Sequence, residues 1–519
     1  AKTLSFVSSS KLSSSLWGSC FGQSLSGGLD VKTESVTDGY KITLTPVSGA
    51  LNLTQACTLM YDLNTSQILK ARAGGDDGYA HNVIISSMTI DGVNTPINST
   101  CAATGCKDPG NGYVNAGYYA QWAVWDREYN PNSMPFASIN DIIYAFIGFD
   151  KDTGNLASLD GNADSWSIPV VSKAILQNPY MHAHLSFGGW TNNQVNTAPM
   201  FLKLSSSQAS MQNFATQAVA LMKKTKFSGL DIDWEWWSEP EQAPAKQMLS
   251  FYKILRAELD KAGAADGKHY TLTIAVNAGV DRVNAMQDPS NPNSVADYWK
   301  QVNTLVDQIN LMSYDYHGAY DNSKPAYFHA NYDFANIPLD KQADVGQTSG
   351  WSIKAVVAAY QANGITAKKL VLGLPAYART MSVSGGTNGG LLQAVSGAGF
   401  GDYEAGVLDY KCLVNPVADK ANGCKNVSAG LSDLVFYNSK ATGTALSAFN
   451  TYGRDAMQPW AYSPSTNTFV TFDDTWSVTA KTKVAKDSGL GGMMFWELDG
   501  DSNTPQLSLI KAVKDELNR

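Results

Sequence analysis

The chain of 519 residues is 44% hydrophobic and carries 46 acidic against 38 basic side chains, a formal charge of −8. It is long enough for several domains around a large core, and the lack of any lysine- and arginine-rich block argues against nucleic acid as a partner. No stretch nears the roughly 20 uninterrupted apolar residues of a membrane helix, so no bilayer span and no membrane partner are expected.

Residues 1–108 are rich in Ser, Thr, Gly and Asn and contain the alternating runs "YKITLTPV" and "HNVIISSMTI". Alternation at period two predicts short antiparallel strands, here a β-sandwich of the fibronectin or immunoglobulin kind. The opening "AKTLSF", without an initiating Met or a hydrophobic signal region, is read as a mature or trimmed secreted chain. Six cysteines stand at Cys20, Cys57, Cys101, Cys106, Cys412 and Cys424. "CAATGC" and "CLVNPVADKANGC" suit disulfide loops and match no C-x-x-C metal or redox motif, although fifteen pairings are open in principle. An oxidising, extracellular compartment is therefore expected.

"CKDPGNGY" breaks the pattern, and from residue 109 short apolar strands alternate with helical stretches. Eight strands are predicted, in "YVNAGYY", "DIIYAFIGF", "MHAHLSFGGW", "FSGLDIDWEW", "YTLTIAVNAG", "DQINLMSYDY", "KLVLGLPAY" and "LGGMMFWELDG". Met211, Phe214, Ala215, Ala218, Leu221 and Met222 recur at helical spacing between the third and fourth. Met248, Phe251, Tyr252, Leu255 and Leu259 do so between the fourth and fifth, before Gly263. Strand and helix alternating eight times predict a (β/α)8 barrel of the α/β class, over 109–380 and 458–519. About a hundred residues separate the last two strands, far more than one crossover needs, so an α+β insertion domain is expected at 381–457.

The fourth strand poses the chemical question. In "GLDIDWEWW", Asp231, Asp233 and Glu235 fall at every second position and share one face, while Ile232 and Trp234 take the other. Like charges this close cannot all ionise cheaply, so at least one carboxyl pKa should rise. Barrel enzymes carry their chemistry at the carboxyl ends of strands. Glu235 is thus placed to meet a substrate as general acid, with Asp231 and Asp233 deeper on the same face to hold or pass a proton. A calcium or magnesium site is the competing reading, disfavoured because such ions draw six to eight oxygens from flexible loops rather than from a strand. No metal and no cofactor are expected, and the histidines lack metal-binding spacing. His317 is read as a structural or rim residue.

"SGLDIDWEWW" is similar to the D-x-x-D-x-D-x-E signature of the family 18 glycoside hydrolases, the chitinases. Ser228, Asp231, Asp233 and Glu235 occupy its positions, with Ser228 in place of the first acid. In family order, "SFGG" at 186–189 resembles S-x-G-G, "NLMSYDY" at 310–316 resembles M-x-Y-D, and "GGMMFWELDGD" resembles the eighth strand. The insertion resembles that of the deep-cleft bacterial chitinases.

The resemblance implies a secreted enzyme that hydrolyses the β-1,4 linkages of chitin by substrate-assisted, retaining catalysis, acting on chitin and N-acetylglucosamine oligosaccharides. It implies Glu235 as acid and base, Asp233 and Asp231 as its partners, and Tyr314 as donor to the substrate acetamide. Asp315 and Met312 would line the site, Trp496 would floor it, and Trp190 would face the sugar chain. Tyr144, Tyr377 and Arg379 are further substrate-binding candidates. Trp122, Trp125, Trp236 and Trp237 stand at strand ends or in adjoining loops. A monomer is assumed. Two alternatives are an endo-β-N-acetylglucosaminidase acting on N-glycans and a non-catalytic chitin-binding lectin, the latter disfavoured by the presence of Glu235.

Overall fold

A computed structural model describes residues 108–519 except 193, 237–242, 416–423 and 425–430, and, within 1–107, the backbone of seven strands. By its contacts the chain divides into two units, 1–107 with 121–136 and 160–181, and 108–120 with 137–159 and 182–519. In the first, strands Leu29–Val36, Gly39–Pro46, Leu4–Ser8, Ile85–Ile90 and Val93–Thr95 form, in that order, one antiparallel sheet. Both runs that alternate in the sequence supply a strand. Tyr61–Asp62 and Gln67–Ile68 form a separate antiparallel pair, and the remainder of the expected sandwich, with the Cys101 and Cys106 loop, lies outside the described residues.

The second unit is built on eight parallel strands, β1 (Val114–Ala120), β2 (Asp141–Ala145), β3 (His182–Gly188), β4 (Gly229–Asp233), β5 (Thr271–Asn277), β6 (Gln308–Met312), β7 (Leu370–Pro375) and β8 (Gly492–Trp496). They pair in chain order, and β8 closes on β1 with Gly492 opposite Val114. Each predicted strand is present and the barrel is closed. Its strands are buried along nearly their whole length, as a parallel sheet covered by helices requires.

Helix Gln208–Thr225 starts where the Ser207 side chain accepts from the Ser210 amide and ends at Lys226 in the left-handed region. Its buried Met211, Phe214, Ala215, Ala218 and Met222 form the apolar stripe, each large side chain contributing about 1.5–3 kcal/mol by burial. Helix Ala245–Asp266 buries Met248, Phe251, Tyr252, Leu255 and Leu259. It runs past the expected stop at Gly263, where a Cβ would come within 2.4 Å of the Lys268 carbonyl oxygen, and is capped by Gly267 at φ +66°.

Between β7 and β8 an antiparallel sheet orders strands Val395–Ala398, Tyr377–Val383, Thr468–Thr471, Trp460–Ser463 and Val435–Tyr437, with Val407–Asp409 also paired to Tyr377–Val383. Short helices Tyr410–Val414 and Gly443–Ala448 accompany it, so this segment is α+β. The expected interval 381–457 is too narrow for this sheet. Its strand Tyr377–Val383 begins two residues after β7, and Trp460–Ser463 and Thr468–Thr471 complete it. Spacing along the chain marks the long interval between β7 and β8, and only pairing shows which strands share its sheet. Cys412 and Cys424 are bridged as their spacing suggested.

This segment is pinned by a buried cation. Lys481, on helix Thr475–Asp487, donates to Asp473 Oδ1 and Oδ2 at 2.7 and 2.9 Å, to Gln458 Oε1 at 3.1 Å and to the Ala330 carbonyl at 2.6 Å. Both charges are fully buried, so removing one strands the other. Lys481→Met should lower the unfolding free energy by about 3 kcal/mol in denaturant titrations. A loss under about 1 kcal/mol would mean that water screens the pair.

Candidate active site

The acids project into the barrel. Ile232 and Trp234 point outwards as alternation requires, and Trp234 stacks on Phe201 with centroids 4.9 Å apart. Inside, Asp231 receives the Tyr118 hydroxyl at 3.1 Å, Ser186 Oγ at 2.7 Å, Thr273 Oγ1 at 2.5 Å and Asn310 Nδ2 at 3.5 Å. These donors come from β1, β3, β5 and β6. Burial pushes the Asp231 carboxyl above its ordinary range, and the hydrogen bonds from Thr273, Ser186 and Tyr118, with the nearby His184, oppose that rise without cancelling it.

Asp233 lies one pleat higher, buried, with no hydrogen-bond partner for Oδ1. Burial first, then the charges of Glu235 and Asp231, push its carboxyl well above the ordinary range. Glu235 follows, half-buried, at the strand's carboxyl end. The backbone there needs two glycines. Gly188 sits at φ +119° with its would-be Cβ 1.9 Å from the Asp233 carbonyl oxygen, and Gly189 at φ +79° faces Phe146. Without side chains, Gly189 can donate its amide to that carbonyl at 2.9 Å and fix β3 against the acid strand.

Tyr314 stands just beyond β6, where the absent side chain of Gly373 leaves room for its ring: a Cβ there would approach it to 2.9 Å. Burial, then the charges of Asp233, Asp315 and Glu235, hold its hydroxyl well above the ordinary value, so it remains a donor. Asp315 follows at φ +59°, a conformation Asp tolerates. Arg379 clamps it through Nε and a terminal nitrogen, both at 2.7 Å, and the Tyr377 hydroxyl donates at 2.8 Å. Burial would raise this carboxyl, but the Arg379 charge and hydrogen bond outweigh it and hold Asp315 well below its ordinary range. The proton affinities of two Asp carboxyls in one barrel are thus driven in opposite directions.

Trp496, half-buried at the end of β8, stacks on Phe146 at 5.9 Å and 24° and tilts against Tyr118 at 5.3 Å. The group includes Tyr314, Met494 and Ala145. Met312 is half-buried at the end of β6, and Trp190, just after β3, is 51% exposed.

Tyr144 does not belong with these residues. It is fully buried, stacked on Tyr119 at 5.8 Å and edge-on to Phe227 at 6.4 Å. On β2 it alternates with Ile143 and Ala145, which join the interior cluster, so its ring faces the helical layer. Trp236 is likewise buried, with the Arg282 guanidinium 5.3 Å from its ring centroid, and Trp125 donates its indole N–H to Asp160 at 2.7 Å. Trp237 lies outside the described residues. His317 is a structural residue, buried and bonded to Asp321 at 2.9 Å and to the Val345 carbonyl at 3.2 Å. Phe146, Tyr118, Thr273 and Asn310 belong to the site but escaped the sequence reading, because only strand register reveals which inward residues meet Asp231.

The acids do not resemble a cation cage, since Asp231 is surrounded by proton donors. Asp402, Asp409 and Cys412 also cluster, but the Cys412 sulfur is in the disulfide and offers no thiolate.

Carboxyl groups with unequal proton affinities at the mouth of a (β/α)8 barrel, near a protonated tyrosine, are the groups that a hydrolase working by general acid-base catalysis requires. Glycosyl hydrolases family 18 matches residues 114–501, and the chain belongs to that family. It is 30% identical over 434 residues to Chitinase 1 of Aphanocladium album, covering 80% of this chain and 87% of that protein. Chitinase A1 of Niallia circulans is 27% identical, over 77% of this chain and 58% of its own length. The fold matches a GH18 chitinase from Cycas revoluta solved with (GlcNAc)3, with a TM-score of 0.60, 21% identity, and coverage of 78% of this chain and 99% of that one. A Group IV chitinase of Ostrinia furnacalis matches with a TM-score of 0.62 at 22% identity, over 78% of this chain and all of that one.

Because the folded Asp233 carboxyl keeps its proton where an unfolded chain has released it, the fold loses stability as pH climbs from about 4 towards the raised folded value. Asp233→Asn removes that penalty. Its melting temperature should exceed the wild type's at neutral pH, and the gain should vanish below about pH 4, where both states are protonated. An equal gain at both pH values, or none, would contradict the raised carboxyl.

Proposed function

We propose that this family 18 hydrolase is a secreted chitinase that cleaves β-1,4 bonds between N-acetylglucosamine units of chitin with retention, the substrate's own acetamide serving as nucleophile. The observation that carries the reading is the Asp233 and Glu235 pair at the end of β4, where the Glu235 charge raises the Asp233 carboxyl, with the hydroxyl of Tyr314 held protonated in the same barrel mouth.

Glu235 protonates the glycosidic oxygen as the acetamide oxygen attacks the anomeric carbon, and then takes a proton from the water that opens the resulting oxazolinium. Asp233, its proton passed to Glu235, accepts the acetamide N–H as a carboxylate and offsets the positive charge on that ring, while Tyr314 donates to the acetamide oxygen and fixes its line of attack. Asp231, saturated with donors, keeps its negative charge behind Asp233. The ionised Asp315, locked by Arg379 and Tyr377, accepts a sugar hydroxyl. Trp496 floors the sugar that is cut, Met312 walls it, and Trp190 offers an exposed ring to the chain beyond.

Relatives named as chitinases and the solved chitinase with bound (GlcNAc)3 support chitin oligosaccharides as substrate. The bridged Cys412 and Cys424 support an oxidising compartment. Among the described residues no helix is long and apolar enough to cross a membrane. The working species is taken to be a monomer, and no cofactor enters the chemistry.

Glu235→Gln removes the dissociable proton with little change of shape. Turnover of soluble chitin oligomers should fall by roughly 10²- to 10⁴-fold with KM little changed. Wild-type turnover by a folded variant, or release of N-glycans in place of chitin hydrolysis, would contradict the reading.

A further inference from the structure

One buried titratable pair takes no part in the chemistry above. His184, on β3, and Asp141, on β2, are 3% and 4% exposed, at the amino-terminal side of the barrel interior. His184 Nδ1 lies 2.8 Å from Asp141 Oδ1, and Nε2 lies 2.7 Å from Thr271 Oγ1. His184 is two residues before Ser186 on the same face of β3, and Ser186 donates to Asp231. The imidazole is therefore about 7 Å, one pleat, beneath the acid network.

The contacts accommodate a charged ring. A hydrogen on Nδ1 can be donated to Asp141, and Thr271 Oγ1, 3.2 Å from the Ser228 carbonyl, can accept from Nε2 when its own hydrogen is directed there. With both ring nitrogens donating, the ring is an imidazolium. The surrounding charges agree. Burial opposes the charged ring, but Asp141 first, then Asp231 and Asp307, raise its proton affinity above the ordinary value. Asp307 is itself paired with Arg256 at 3.1 Å and His269 at 2.7 Å, which leaves Asp141 and Asp231 as the anions His184 chiefly serves. Gly229, the residue below Asp231 on the same face of β4, has no side chain, and a Cβ there would come within 2.8 Å of the His184 ring, so no carboxylate on β4 lies below Asp231.

We propose that the Asp141 and His184 ion pair is a positioning device for the acid network. The His184 imidazolium lies under Asp231 and keeps it ionised, so that the proton of the network resides on Asp233 and Glu235, where the substrate is. Asp141 holds the imidazole in its charged form. The proposal rests on the roles assigned to these acids above.

The test has two arms. In the intact protein labelled with ¹⁵N-histidine, both His184 ring nitrogens should resonate in the imidazolium range at neutral pH; a neutral-tautomer pattern, with Thr271 donating to Nε2, would overturn the proposal. In kinetics on soluble chitin oligomers, His184→Gln removes the cation and keeps an amide able to donate. Asp231 then binds its proton more tightly, and the acid limb of the kcat profile should move up by about one pH unit. Asp141→Asn, which lets the imidazole discharge, should move it the same way. A merely structural role would lower kcat equally at all pH values, so an unmoved limb in either folded variant refutes the device. Full activity of Glu235→Gln would instead sink the assignment of the acids, and it leaves the His184 spectrum as an independent reading.

Discussion

The site depends on placing three carboxyl groups on one face of one strand inside a closed barrel. Two unit charges one pleat, about 7 Å, apart repel by about 2 kcal/mol at an effective dielectric near 20, and three in a row add such repulsions to the cost of burial. The barrel resolves the conflict unequally. Asp231 receives Tyr118, Ser186, Thr273 and Asn310, donors drawn from four strands, and can remain an anion in the dark interior. Asp233 receives no donor at Oδ1 and faces charge on both sides, so it takes up the proton. Much of the polar lining of an otherwise apolar barrel follows from that division.

Asp315 supplies the contrast. It is the same residue type in the same cavity, yet Arg379 and Tyr377 keep it ionised. Both partners lie on strand Tyr377–Val383, which is also the first strand of the sheet inserted between β7 and β8. The insertion is therefore built outward from a catalytic wall. Its folding and the electrostatics of the site are tied through one strand, and the buried Lys481 ties the far side of the same sheet to the barrel helices.

The sequence reading recovered what depends on local order. Apolar runs marked all eight barrel strands, and period-two spacing put Asp231, Asp233 and Glu235 on a common inward face, because strand geometry alone decides both. It failed where partners are set by register or parity. Tyr144 was assigned to the site although its neighbours Ile143 and Ala145 take the inward positions. Thr273 and Asn310 meet Asp231 only because β5 and β6 are staggered as they are. The insertion was expected at 381–457, whereas its sheet takes in strands Tyr377–Val383, Trp460–Ser463 and Thr468–Thr471, a pairing that spacing along the chain does not reveal. The glycines of "SFGG" were legible as a motif, but their reason, a carbonyl at 1.9 Å from a missing Cβ, is not written in any one segment.

Unequal protonation of the acid strand is the central claim, and ¹³C NMR of the aspartate side-chain carboxyls in the intact protein reads it directly. Titrated through the neutral range, Asp231 should show a carboxylate shift throughout, while Asp233 should show the shift of a protonated carboxyl and release its proton only at a pH well above that of an exposed Asp. Finding Asp233 fully ionised at neutral pH, or finding the proton on Asp231 instead, would contradict the account.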